Sequence, residues 1–310
     1  MRKWLVLLLL LILVGFCAFF FLLPPKKYIR QQEQVSFSSK AFSRGLFNEA
    51  TWQQWWPGEK KDTTTFRYKG NTYSIGKKNL SSLLINICNG NDTLITELLA
   101  IPLTADSIEL EWVGASRPSN NLFHQLQQSR WVEGLNSDIE TLLQKMKTFY
   151  TQVDNVYPFK IREVKVVDST LISTSATVDA YPTPTLVYGL LDKLKAYAKL
   201  QGANETGLPM LNITAKTNGN YLARVALPID KKLPDTDEIQ YRWMLGGGNI
   251  FVTEVKGGPH TIQQAFTTMD QYANDFNRVA PAIPFQSLVT DRRAEPDTAR
   301  WITKVYWPVM

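Results

Sequence analysis

The chain predicts an α+β fold: an amino-terminal transmembrane helix, then a sheet domain of helix-grip layout, then a duplicated strand-helix-strand-strand domain. Three observations carry this reading. An uncharged apolar run spans Trp4 to Leu23. A meander of short alternating segments follows and closes on one amphipathic helix. The last half of the chain then repeats its own pattern. At 310 residues the chain has room for about two domains of ordinary size beside the apolar segment.

The run "WLVLLLLLILVGFCAFFFLL" contains no charge and no proline, and its length matches the roughly 20 residues that a helix needs to cross hydrocarbon. A cleaved signal peptide is the competing reading, with Arg2 and Lys3 at its front, but the apolar run is longer than a usual signal core. "LVGFC" fails as a lipoprotein box because Phe16 stands where a small residue is needed. Residues 1–25 are therefore expected to be an uncleaved single-pass anchor. Arg2 and Lys3 on one side and Lys26, Lys27 and Arg30 on the other leave its orientation open. If it acts as a signal anchor, the remainder lies outside the cytoplasmic membrane.

After the tether "PPKKYIRQQ", "EQVSFSS" predicts a strand, and "KAFSRGLFNEATWQQWW" predicts one or two short helices ending at Pro57. "TFRYKGNTYSIG" reads as a hairpin around Gly70 and Asn71. "SLLINICNG", "DTLITELLAIPL" and "DSIELEWVGAS" add three strands. Leu135, Ile139, Leu142, Leu143, Met146 and Phe149 then recur at helical spacing, and "SDIE" at Ser137–Glu140 predicts a capping box at the start of that helix. These elements form a first domain over residues 32–150.

"TQVDNVYPF" leads into the repeat. "TLVYGLLDKLKAY" and "TIQQAFTTMDQY" are amphipathic helices that follow proline, and Val187, Leu190, Leu191, Leu194 and Tyr197 align with Ile262, Ala265, Phe266, Met269 and Tyr272. Strand-like sequence precedes each helix. Two strands follow each, ending at Pro228 in one copy and Pro308 in the other. One such unit is too small to bury its own sheet face, so the copies are expected to pack about a pseudo-twofold axis over residues 159–310, with a ligand groove along it.

Composition excludes several function classes. The net charge of +6 is scattered and partly flanks the apolar segment, so no basic stripe marks a nucleic-acid partner. With two cysteines and two histidines, none at ligand spacing, no metal centre or cofactor is expected. His124 and His260 lie in different domains, so no nucleophilic triad can be assembled. "MLGGGNI" lacks the Lys-Ser/Thr of a phosphate loop.

Residues 32–150, with "WQQWWPG" after the first strand and a long closing helix, resemble the SRPBCC, or START-like, superfamily. That resemblance implies a helix-grip fold with an apolar ligand cavity beneath the long helix. Residues 159–310, with "EVKGGPH" before the second helix and "ITKVYWPV" at the end, resemble the GyrI-like domains that also form the effector-binding part of AraC-type regulators. This second resemblance implies an inter-repeat groove for amphipathic or cationic small molecules, and in some members hydrolysis. It also implies a glutamate four residues before the last proline. Here Lys304 takes that place and Arg224 the equivalent place in the first copy.

The expected site is therefore a groove lined by Lys304 and Tyr306, with Arg224 across the axis and Glu254 also counted among the ligand-binding residues, preferring a neutral or anionic amphipathic ligand. Lys304 pairing with Glu254, or reaching solvent, is the alternative. Trp55 and Trp56 are expected at a cavity rim or the bilayer surface, with Trp52 in the core. The functional expectation is a non-catalytic, membrane-anchored bacterial protein that binds or senses amphipathic or lipid-like small molecules. A hydrolase using Glu254 and an envelope protein-interaction module are the alternatives.

Overall fold

The computed structural model describes residues 27–90, 92–116, 121–167, 169–217, 219–244 and 246–310, with Trp4, Leu10, Ile12, Val14 and Gly15 before them. The apolar run Trp4–Leu23 lies almost wholly outside the described residues. No helix among the described residues is long and apolar enough to cross a membrane. The chain divides into two compact units, residues 1–152 and 153–310.

In the first unit, β1 (Tyr28–Val35), α1 (Ser39–Leu46) and a 3₁₀ turn (Glu49–Gln54) precede six strands and a 29-residue helix, α2 (Leu122–Tyr150). The strands are β2 (Glu59–Lys60), β3 (Thr65–Tyr68), β4 (Asn71–Lys78), β5 (Ser82–Asn89), β6 (Asp92–Thr104) and β7 (Ser107–Ala115). They form one antiparallel sheet in the order β1-β7-β6-β5-β4-β3-β2. Strand β1 starts inside the segment expected to be a tether. Pairing decides this: Tyr28 faces Ala115 and Val35 faces Ile108, and Ile29 and Val35 are buried.

The β3–β4 hairpin turns on Lys69 and Gly70, both at positive φ, one residue earlier than expected. Two adjacent left-handed residues match the right-handed twist of the flanking strands. The tight turn also docks the long helix: Lys69 Nζ lies 2.8 Å from Asp138 Oδ1, and Trp131 Nε1 donates to Asn71 Oδ1 at 2.9 Å.

The capping box expected at Ser137–Glu140 is not a helix start. Helix α2 begins fifteen residues earlier, where the Asn121 side chain accepts from the N–H groups of Phe123 and His124. Ser137 lies mid-helix, its carbonyl accepting from the Thr141 hydroxyl. The apolar spacing seen from Leu135 onward marks only the half of the helix that contributes most to the core.

In the second unit, α3 (Val153–Val156) and β8 (Arg162–Lys165) precede β9 (Ser169–Val178), α4 (Pro184–Leu200), β10 (Met210–Ala215) and β11 (Tyr221–Ile229). The second copy is β12 (Gln240–Met244), β13 (Asn249–Lys256), α5 (Pro259–Asp275), β14 (Phe285–Leu288) and β15 (Ile302–Val309). All eight strands join one sheet in the order β12-β9-β11-β10-β14-β15-β13-β8. The order is symmetric about the β10–β14 junction, so the duplicated strand-helix-strand-strand unit is present, with one added strand at the front of each copy.

Those added strands are exchanged. Strand β8 of the first copy pairs with β13 of the second, and β12 of the second pairs with β9 of the first. Lys165 faces Asn249 and Ser169 faces Met244, so the two ladders follow each other along the same two chain segments. The ends of the sheet are thereby drawn together. Sequence reading placed no strand at β12, because "QYRWM" carries its alternation over only five residues and runs into glycines.

Each helix covers its own copy. Val187, Leu190, Leu191 and Leu194 of α4 pack with Ile172, Leu211, Val225 and Leu227, while Ile262, Ala265 and Met269 of α5 pack with Phe251, Val255, Val305 and Val309. The helices thus occupy one face of the sheet. Even-numbered residues of β11 and β15 point to the other.

Candidate functional site

Alternation along β15 buries Thr303, Val305 and Val309 toward α5 and turns Lys304 and Tyr306 to the opposite, partly open face. Along β11, Ala223, Val225 and Leu227 are buried toward α4, and Arg224 points the other way. The three residues expected to form the site therefore share one face of one sheet.

Strand register sets their neighbours. Arg224 lies between Ser175 and Asn212, and Lys304 lies between Glu254 and Ser287. These two rows are equivalent under the pseudo-twofold axis. Their charge balance differs: Lys304 has a carboxylate directly opposite, while Arg224 has only neutral partners. Its Nη1 donates to Asn212 Oδ1 at 3.0 Å and to Thr214 Oγ1 at 3.2 Å, and Asn212 Nδ2 donates in turn to the Pro284 carbonyl at 2.8 Å. Such a fan of neutral acceptors orients the guanidinium without neutralising it.

An aromatic platform lies beside them. Phe285 pairs with Tyr306 across β14 and β15, and their rings stack at 4.9 Å with an interplanar angle of 14°. Burial pushes the Tyr306 phenol above its ordinary pKa. Met210 faces Ser287 and Leu211 faces Gln286, and the same register carries Asn212 toward Phe285. The face thus combines a flat aromatic pair, two cationic side chains and short polar groups, which suits a ligand with a ring or chain and a polar head.

Two pockets open in the unit. One of about 550 Å³ is lined by Arg224, Arg242, Lys193, Asp237, Glu238 and Gln240 among others, so it carries both cations and carboxylates. The other, of about 620 Å³, is lined by Glu254, Arg162, Lys160 and Phe159 among others. Arg224 and Glu254, expected to frame one groove, thus line separate pockets. Phe285 and Asn212 were missed in the sequence. Aligning "PMLN" with "PFQS" on Pro209 and Pro284 would have found both, since it matches Met210 to Phe285 and Asn212 to Ser287.

Trp55 and Trp56, expected at a rim, are buried in the first unit, with relative exposures of 5% and 6%. Trp52, Trp55, Trp56, Phe66 and Tyr73 form one aromatic cluster with centroid separations of 5.0–6.1 Å. Trp52 Nε1 donates to the Leu46 carbonyl and Trp56 Nε1 to the Arg67 carbonyl. Gly58 completes the motif: a Cβ there would lie 1.8 Å from that same Arg67 oxygen. The indoles are held inward because two of the three find backbone acceptors inside the fold, which a half-exposed position would not require.

The chain matches no protein-family model and no curated protein. Among solved structures it is similar to the C-terminal domain of EcmrR, at 14% identity over 49% of this chain and 98% of that one, with a TM-score of 0.42. A hydrolase from Listeria innocua is similar at 12% identity over 49% of this chain and 92% of its own, with a TM-score of 0.37. SAV2435 bound to tetraphenylphosphonium is similar at 17% identity over 49% of this chain and 94% of its own, with a TM-score of 0.33.

Proposed function

We propose that this chain is a membrane-anchored protein that binds, without chemical conversion, an amphipathic small molecule on the open sheet face of its second unit. Arg224, Lys304 and the Phe285–Tyr306 pair are the groups that would hold it. One observation carries the reading: the equivalent strands of two repeats both place a cation on the same face, beside a stacked aromatic pair. The aromatic pair takes the apolar body. Arg224, which has no opposing carboxylate in its row, favours a neutral or anionic head over a cationic one.

Lys304 contributes less to that preference than Arg224, because Glu254 stands opposite it. Where the GyrI-like resemblance implies a glutamate this chain has Lys304, so a hydrolytic reading would have to rest on Glu254 instead. The anchor rests on the uncharged run from Trp4 to Leu23. The first unit has the order of strand, short helices, meander and long helix that the helix-grip resemblance implies, and in this reading no ligand is assigned to it. If the run acts as a signal anchor, this reading puts both units outside the cytoplasmic membrane of a bacterial cell.

Native mass spectrometry of the full chain, released from detergent in the gas phase, tests the binding reading. A reproducible small-molecule adduct supports it, and a bare chain from repeated gentle preparations counts against it. Protease protection in membrane vesicles tests the side of the membrane.

A further inference from the structure

The helix-bearing side of the second unit holds a cavity unrelated to the open face. It has a volume of about 380 Å³, with mostly apolar walls that include Val187, Leu211, Ile213 and Trp301 and with the hydroxyl-bearing Tyr181, Thr183 and Thr298 at its lining. One cation enters it, Arg292.

The surroundings of Arg292 are unusual for a largely buried guanidinium. Nη2 donates to Gln286 Oε1 at 2.8 Å and to Thr303 Oγ1 at 3.1 Å, and both acceptors are neutral and buried. Arg292 Cζ lies over the Trp301 ring, 4.6 Å from its centre, and the indole is itself fixed by a hydrogen bond from Nε1 to the Glu295 carbonyl. The Arg292 backbone N–H donates to the Tyr188 hydroxyl at 2.8 Å. Burial pushes the guanidinium below its ordinary pKa.

Four carboxylates lie nearby in the fold, and each is taken by another arginine. Asp192 and Asp291 pair with Arg293 at 3.0 and 3.6 Å, and Glu295 and Asp297 pair with Arg300 at 3.8 and 3.4 Å. Among the described residues no carboxylate reaches Arg292, and no hydrogen bond engages its Nη1 or Nε. A buried charge is ordinarily paired, because desolvation without compensation is costly. Here the guanidinium is held by stacking and through Nη2, which leaves hydrogens on Nη1 and Nε for single charge-assisted contacts to an anion.

We propose that this cavity is a second binding site, separate from the open sheet face, for a small organic carboxylate. Its carboxylate meets the Arg292 guanidinium and its apolar body lies against Val187, Leu211 and Ile213. A single guanidinium in a mostly apolar cavity matches one negative charge on an apolar ligand.

The test is calorimetric titration of the full chain in mild detergent with 2-naphthoate, and with 2-naphthylmethanol as the neutral control of the same body. Saturable naphthoate binding is expected, with the alcohol weaker by about tenfold or more and Arg292→Gln losing a similar factor. Ile213→Trp, which fills the cavity and keeps the guanidinium, is expected to abolish binding; it keeps the proposal testable if Arg292→Gln fails to fold. Equal affinity for acid and alcohol, or unchanged naphthoate affinity in either variant, overturns the proposal. Loss of affinity in Arg224→Ala but not in Arg292→Gln assigns the probe to the open face and overturns it too, while leaving the sheet-face reading intact.

Discussion

Glu254 stands directly opposite Lys304 in the antiparallel ladder of β13 and β15, on the sheet face that points away from the helices. Facing pairs of opposite charge stabilise a sheet modestly. The carboxylate also offsets the positive potential of the open face. Glu254→Gln is therefore expected to raise affinity for an anionic amphipathic dye by a few fold. Because Glu254 is exposed, stability should shift by no more than about 0.5 kcal/mol. Fluorescence titration and urea denaturation measure the two effects.

The tryptophan motif makes a different prediction. Trp55 and Trp56 are packed in the aromatic cluster of the first unit, so Trp55→Ala or Trp56→Ala should cost about 3–5 kcal/mol, the range for large-to-small changes in a core. Gly58→Ala should also destabilise, because its Cβ would collide with the Arg67 carbonyl. Denaturant melts of the three variants check this. Wild-type stability with altered ligand affinity would return the indoles to a rim.

Helix α2 provides a paired control. Asn121→Ala removes the side chain that accepts from two free N–H groups and should cost about 1 kcal/mol. Ser137→Ala, at an exposed mid-helix position, should cost nothing measurable. The reverse result would restore the start of the helix to Ser137.

What the sequence made legible, and what it did not, follows from the range of the forces involved. Helical spacing named Leu190, Leu191, Leu194, Ile262 and Met269 as core, because a single buried face is written locally. Alternation likewise placed Lys304 and Tyr306 together. The exchange of β8 and β12 between copies was not legible: which strand pairs with which depends on contacts dozens of residues apart. The inward placement of Trp55 and Trp56 was equally hidden, since it depends on a cluster with Phe66 and Tyr73. Arg292 gave no signal in a run of alternating charges, "DRRAEPDTAR". Only the fold shows that its neighbours' carboxylates are taken by Arg293 and Arg300.

A pH test applies to Glu49 in the first unit. Burial pushes its carboxyl up, but the Lys78 ammonium, which bonds it directly, outweighs burial and holds the pKa below the usual value. A depressed folded-state pKa contributes stability that is present above the unfolded pKa and lost as pH falls through the folded value. Lys78→Met should therefore be less stable than wild type near pH 7. The gap should close in the acid range, below the ordinary glutamate pKa. Parallel denaturant series across pH 3–7, a range set by that pKa of about 4.3, would measure it. A constant gap would show that Lys78 acts through packing alone.

The central claim is that the open face of the second unit selects its ligand by charge through Arg224 and Lys304. Its most direct test is equilibrium competition between an anionic anilinonaphthalene sulfonate and a cationic amphipathic dye on the full chain, repeated with the Arg224→Glu/Lys304→Glu double variant. Wild type is predicted to favour the anion by about tenfold, equivalent to about 1.4 kcal/mol, and the double variant to favour the cation. The same preference in both proteins would contradict the account.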